Sequence, residues 1–162
     1  MDDLWITRAV HIVCGTLWVG GLAFNLFIVG PAIAGSGAEG RRVLTRIFRR
    51  HKMSVYLGLL STLTIATGAY AYARLGYHHA PMLSGKLGVL NLGVVAGILL
   101  FVEGLVLHVP SNHRLRSFLL DDARADDEST YLDLLRKKRR LSTLSVLFAL
   151  TALVCMSAWR LA

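Results

Sequence analysis

"AVHIVCGTLWVGGLAF", residues 9–24, decides how the chain is read. It carries no acid, lysine or arginine, and one imidazole interrupts an otherwise lipid-soluble run. With its neighbours it forms an apolar stretch over residues 5–33, and three more follow at 53–75, 83–109 and 141–159. Each reaches the roughly 20 residues that a helix needs to cross a bilayer. None alternates as a strand does, and in lipid the backbone must satisfy its polar groups internally. The expected fold is therefore all-α, an integral membrane four-helix bundle forming one domain over 1–162. Composition agrees: 54% of the 162 residues are hydrophobic, with a mean hydropathy of +0.54. The first run does not read as a signal peptide, because its start is acidic (Asp2, Asp3) and its apolar core is too long.

Charge gives the expected orientation. The net charge is +8, yet 14 of the 18 lysines and arginines fall in two segments, 34–52 and 110–140. A basic stripe for nucleic acid would not be split around membrane spans, so no nucleic-acid partner is expected. By the positive-inside rule both segments are cytoplasmic, with both termini and the 76–85 loop outside, as in a bacterial-type inner membrane. Such loops also suit anionic lipid headgroups. The acidic run "DDARADDE" (121–128) reads as a solvated linker, and "YLDLLRKKRR" (131–140) as an amphipathic helix lying on the cytoplasmic surface before the fourth span.

Ionisable groups within a membrane are costly and usually functional. Here they are His11 in the first span, Lys86 and Glu103 in the third, and His51 and His108 at span ends. Helical spacing puts His11, Gly15, Trp18, Leu22 and Asn25 on one face, and Lys86, Gly93, Gly97, Gly104 and His108 on another. Gly93 and Gly97 form a GxxxG, which admits a close helix or a flat group. His51, Ser54, Gly58, Ser61, Gly68 and Tyr72 share a face of the second span; Ser142, Ser145, Ala149 and Ala152 share one of the fourth. Bundles build cofactor sites from such facing side chains. Glu103 reads as a proton relay, a hydrogen-bond partner or a structural group.

The donor set favours haem over other metals. The four methionines do not cluster as soft copper ligands would, and no HExxH or Cys/His cluster offers zinc its four ligands. Cys14 and Cys155 read as buried thiols, and without CxxCH there is no covalent haem attachment. Haem needs only one or two axial ligands and a slot of small and aromatic residues. The expected site has His11 as ligand between the first and third spans, Gly15 making room, Trp18 lining the slot and Lys86 as sixth ligand or propionate partner. His51 and His108 are expected to meet near the cytoplasmic face and to hold a second haem. From Lys86 to His108 is 22 residues, or about 33 Å of helix at roughly 1.5 Å each, enough to stack two macrocycles across the membrane.

Three stretches carry a resemblance. "HIVCGTLWVGGLAF…GPAI", "TIATGAYAY" and "PMLSGKLGVLNLG" resemble elements of copper resistance protein D-like membrane proteins. The first-span His and third-span Lys also resemble those of HemJ-type protoporphyrinogen oxidases, four-helix membrane proteins that bind haem b. The likeness covers roughly residues 5–110 and implies haem at His11 and Lys86. It departs after the first span, where this chain reads "NLFIVGPAI". The function it implies is redox: a membrane-bound b-type cytochrome exchanging electrons with a quinone or partner redox protein. Any enzyme activity would be that of an oxidoreductase. A copper-handling permease, or a structural subunit anchoring a larger respiratory complex, are the alternatives.

Overall fold

The computed structural model describes residues 2–50, 53–77, 85–121 and 127–158. All of the regular structure among them is helical: α1 (Asp2–Phe24), α2 (Gly30–Gly35), α3 (Gly37–Arg50), α4 (Met53–Arg74), α5 (Gly85–Glu103), α6 (Val109–Leu120) and α7 (Glu128–Ala158). Four helical stretches are long and apolar enough to cross a membrane: Asp3–Gly35, Met53–Arg74, Leu87–Leu120 and Glu128–Ala158. Large apolar side chains such as Ile12, Phe27, Leu92, Leu147 and Val154 stand exposed along them. Exposed apolar surface of this kind fits hydrocarbon rather than water. The chain is an all-α, multi-pass membrane protein in contact with lipid.

The spans form two antiparallel hairpins. In the first, Gly21 of α1 lies on Leu57 of α4, Gly15 on Thr64, and His11 on Gly68. Asp3 near the start of α1 takes hydrogen bonds from Tyr70 (2.8 Å) and Arg74 (3.3 Å) near the end of α4. In the second, Gly93 of α5 packs on Ala152, Cys155 and Met156 of α7, and Glu103 meets Ser145. Cys14 and Trp18 of α1, Leu60 of α4, Leu100 of α5 and Ala149 of α7 make the core where all four spans meet. Near the charged ends of the spans, Ile33, Leu44, Leu115, Phe118, Leu119 and Tyr131 build a second core, joining α2, α3, α6 and α7. Arg41 lies over the Phe118 and Tyr131 rings at 5.1 and 5.4 Å, a cation–π contact on each. We call this the basic end.

Each hairpin carries one π turn ahead of a proline. Asn25–Val29 precedes Gly30-Pro31, and Gly104–His108 precedes Val109-Pro110. The Gly30 N–H donates to Asn25 O and the Val109 N–H to Gly104 O, five residues back rather than four. A proline in a regular α-helix has no N–H to give and drives its ring into the carbonyl four residues earlier. Widening the preceding turn relieves that clash, so both spans continue past their prolines: the first to Gly35 and the third to Leu120.

The basic segments are more ordered than expected. Residues 37–50 form α3, which turns back from α2 through Gly37, whose φ of +51° suits glycine. Gly40 then lies against the backbone of Ile33 with no room for a Cβ. Residues 131–140, expected to lie on the membrane surface as a separate helix, are instead the first part of α7. The reason is local: no glycine or proline interrupts 128–158. Asp127 Oδ1 caps the start by accepting from the Thr130 N–H at 3.0 Å.

The two glycines of the GxxxG are not equivalent. A Cβ at Gly93 would stand 3.0 Å from Cys155 Cβ and 3.1 Å from Met156 Cγ, whereas one at Gly97 would meet nothing within 4 Å. Gly93→Val therefore costs about 1–3 kcal/mol through overpacking. Gly97→Ala is neutral or stabilising by up to about 1 kcal/mol. Thermal unfolding of the two variants in detergent checks the difference, and equal losses would contradict the α5–α7 packing.

Candidate functional site

Among the described residues, two polar centres with ionisable groups sit within the spans, one in each hairpin, and Tyr72 OH of α4 donates to Asn91 Oδ1 of α5 at 2.8 Å between them. His11 belongs to the first. Its Nδ1 lies 2.8 Å from the Thr64 carbonyl oxygen of α4. A carbonyl only accepts, so Nδ1 carries a proton, and in the neutral ring Nε2 then keeps its lone pair. A backbone carbonyl that fixes the tautomer in this way is the usual support behind a metal-binding histidine. Thr67 Oγ stands 3.5 Å from the same Nδ1 and donates to Leu63 O at 2.6 Å. The ring rests on Gly68, where a Cβ would come within 2.8 Å of His11 Cε1. Gly15 faces the Thr64 side chain, with 3.4 Å to Cγ2 from a Cβ placed there.

This arrangement differs from the slot read from the sequence. His11 meets the second span rather than the third, and Trp18 is buried in the central core with Cys14, Leu60, Leu100 and Ala149. The cause is the pairing of the spans: α1 packs along α4, with Gly21 on Leu57, Gly15 on Thr64 and His11 on Gly68. The upper part of that stripe faces α4, while Trp18, Leu22 and Asn25 turn toward the space between the hairpins. Of the third-span stripe, Gly93 is covered by α7, Gly97 is open, and Gly104 and His108 border that same space. Lys86 stands in the first turn of α5, and its side chain lies outside what is described. His51, His78 and His79 also lie outside the described residues.

The second centre is Glu103, Ser145 and His108. Glu103 and Ser145 are buried, at 7% and 1% exposure. Ser145 Oγ donates to Glu103 Oε2 at 2.8 Å, and His108 Nε2 lies 2.8 Å from the same Oγ. His108 Nε2 is also 3.3 Å from Glu103 Oε1, an ion-pair distance when the imidazole is charged, without the alignment of a hydrogen bond. Glu103 and His108 are five residues apart, about 140° around a regular α-helix. The π turn between them brings both onto the face of α7. Glu103 and His108 were expected singly, not as a pair. Pro110, two residues beyond His108, was a local signal of irregular helix geometry there.

A cavity of about 160 Å³ opens between the hairpins at this centre. It is smaller than the roughly 300–1,000 Å³ of pockets that enclose drug-sized ligands. His108 Nε2 is held by Ser145 and Glu103, and His51, its expected partner for a second haem, lies outside the described residues. Among the described residues no group of three or more His, Cys, Asp and Glu could hold a bare metal ion. At His11 the donor chemistry does fit one axial haem ligand, through Nε2. No family model, no curated protein and no solved structure matches the chain.

Ser145 holds both partners of its centre at once. Ser145→Ala leaves a buried carboxylate and an imidazole without their shared hydroxyl, which costs about 1–3 kcal/mol. Ser145→Thr, which keeps the hydroxyl, retains more of the stability than Ala does, and melting of the two variants in detergent checks the order.

Proposed function

We propose that the chain is a membrane-bound b-type haem protein that carries electrons, with His11 as an axial ligand. The observation behind this reading is the Nδ1–H bond from His11 to the Thr64 carbonyl. It leaves Nε2 as an electron-pair donor on a ring whose orientation is fixed at lipid depth. Haem, when bound, supplies one-electron chemistry. The chain's own part is to hold the imidazole. The Thr64 carbonyl sets its tautomer, Gly68 lets the ring lie against backbone, and the apolar spans keep bulk water away. Raising the basicity of the ligating nitrogen through the opposite N–H is one lever on a metal's potential.

The likeness of His11 and Lys86 to the haem-linked residues of HemJ-type proteins supports the same assignment and offers Lys86 as sixth ligand or propionate partner. In this reading the basic end faces the cytoplasm, in keeping with its concentration of arginine and lysine. Both termini then lie outside, in a bacterial-type inner membrane. A quinone or a partner redox protein is the electron partner, and one haem per chain is the stoichiometry that the His11 site supports.

A pyridine-haemochrome spectrum with haem-to-protein stoichiometry tests the reading. We expect about one haem b per chain, and His11→Ala to lose most of it while the protein still inserts, since the spans are untouched. Gly68→Val should lower haem content in the same direction, because its side chain displaces the ring. Full haem retention in His11→Ala would remove that residue from the site. Lys86→Met should shift the spectrum or the redox midpoint with little change in expression. A chain purified without any Soret absorption, but with bound copper, would overturn the haem reading.

A further inference from the structure

The space between the hairpins has a polarity that the haem reading does not use. Three buried side-chain atoms among the described residues lack a hydrogen-bond partner: Glu103 Oε1, Asn112 Oδ1 and Tyr131 OH. The first two border the same cavity. Both are oxygens that accept, so what completes them must donate. Leaving such atoms empty-handed costs about 1–3 kcal/mol each. A volume of about 160 Å³ holds about five waters at roughly 30 Å³ each. The wall is polar enough to keep them, because Asn25, Ser54, Ser61, Ser142 and Ser145 also face it. Asn112 Nδ2 reaches Ser54 Oγ at 3.5 Å on the exposed side of the bundle.

We propose that this cavity is a hydrated inlet that carries protons from the basic end to Glu103. Glu103 lies at lipid depth: Leu105, Val106 and Leu107 in the adjoining turn are exposed apolar residues. It stands 16 residues after Leu87, about 24 Å along the helix at roughly 1.5 Å each. Water cannot reach that depth along the lipid face, so the cavity is its route.

The relay at the inner end balances as one proton shift. With His108 as imidazolium and Glu103 as carboxylate, the Nε2 proton passes to Ser145 Oγ as the Ser145 proton passes to Glu103 Oε2. The products are a neutral imidazole protonated at Nδ1 and a carboxylic acid, joined by the same two 2.8 Å contacts. Net charge is zero on both sides, which suits a site at lipid depth. Glu103 Oε1, buried and unpartnered on a residue that lines the cavity, is the atom through which the proton is exchanged with cavity water. Among the described residues that line the cavity, those of α1, the first π turn, α3, α4 and α6 include no charged side chain. α7 adds Lys138, whose Nζ stands over the Phe48 ring at 5.2 Å and which marks the basic end of the cavity.

The test uses the full chain in lipid vesicles, with Cys14→Ala and Cys155→Ala removing the native thiols. Ser142→Cys and Ser61→Cys line the inlet, and Thr62→Cys, exposed on the lipid side of α4, is the control. The probe is the membrane-impermeant reagent 2-sulfonatoethyl methanethiosulfonate. We expect both inlet cysteines to react at least about tenfold faster than the control, and only when the reagent is on the side of the basic end. Equal rates at all three, or reaction from the opposite side, would overturn the inlet. Proton exchange is read by infrared difference spectroscopy on acidification. A protonated-carboxyl band should be present in the parent protein, be lost in Glu103→Gln and move in frequency in Glu103→Asp. A band unchanged in both variants would overturn Glu103 as the acceptor. Neither readout depends on haem content, so this inference stands or falls apart from the His11 assignment.

Discussion

A carboxylate at lipid depth has to find its partners inside the protein, and the second hairpin is organised around that need. Glu103 is 7% exposed, on a helix whose next turn shows leucine and valine to lipid. An isolated ionised carboxylate there would be prohibitively costly. Ser145 answers it from α7 and His108 from its own helix. Each contact places a demand on the backbone. Ser145 must lie deep on the face of a long unbroken α7, and His108 must swing round by the extra residue of a π turn. The turn in turn follows from Pro110. One local breach of helical geometry thus positions the side chains that surround the Glu103 carboxyl in the bundle.

The first hairpin repeats that layout with different chemistry. It too has a span, a π turn, a proline and a continuing helix, and Asn25 stands where the second hairpin has Gly104. Its polar group, His11, sits at the opposite end from its π turn and is satisfied by a backbone carbonyl rather than by a carboxylate. The consequence is a bundle with two unlike ends. Near His11 the packing is close, with Gly68 and Gly15 drawing α1 and α4 together. Toward the basic end the two π turns face one another across a cavity, and a capping layer of α2, α3 and α6 carries the cationic residues around its own apolar core.

The spans and their inward faces were legible in the sequence because hydropathy and 3.6-residue periodicity act over many residues at once. Ser54, Gly58 and Ser61 do line the interior, and Ser145 and Ala149 are among the most buried residues of α7. What escaped was set by single residues or by tertiary contact. A stripe drawn through His11, Trp18 and Asn25 does not say which neighbour it meets at each depth, and here that is α4 at His11 and the space between the hairpins at Asn25. The pairing of Glu103 with His108 depends on a turn with one residue too many, which a strict 3.6 period places on separate faces. The fusion of 131–140 with the fourth span was readable from the absence of glycine and proline. The density of basic residues there pointed instead to a surface helix. The capping core, in which Arg41 lies over Phe118 and Tyr131, joins residues up to 90 positions apart, and no local pattern announces it.

The division between the two centres also bears on how they would work together. His11 and Glu103 stand on different hairpins and toward different ends of the bundle, with the central core of Cys14, Trp18, Leu60, Leu100 and Ala149 between them. Trp18 belongs both to that core and to the wall of the cavity. A change of charge at either centre would therefore reach the other through close-packed apolar side chains, which transmit displacement but screen a field poorly. Any coupling would be electrostatic, carried through a medium of low dielectric. A lone fixed charge at the same depth would bias the His11 end permanently, whereas a pair that exchanges a proton can compensate a change of charge there and then release it.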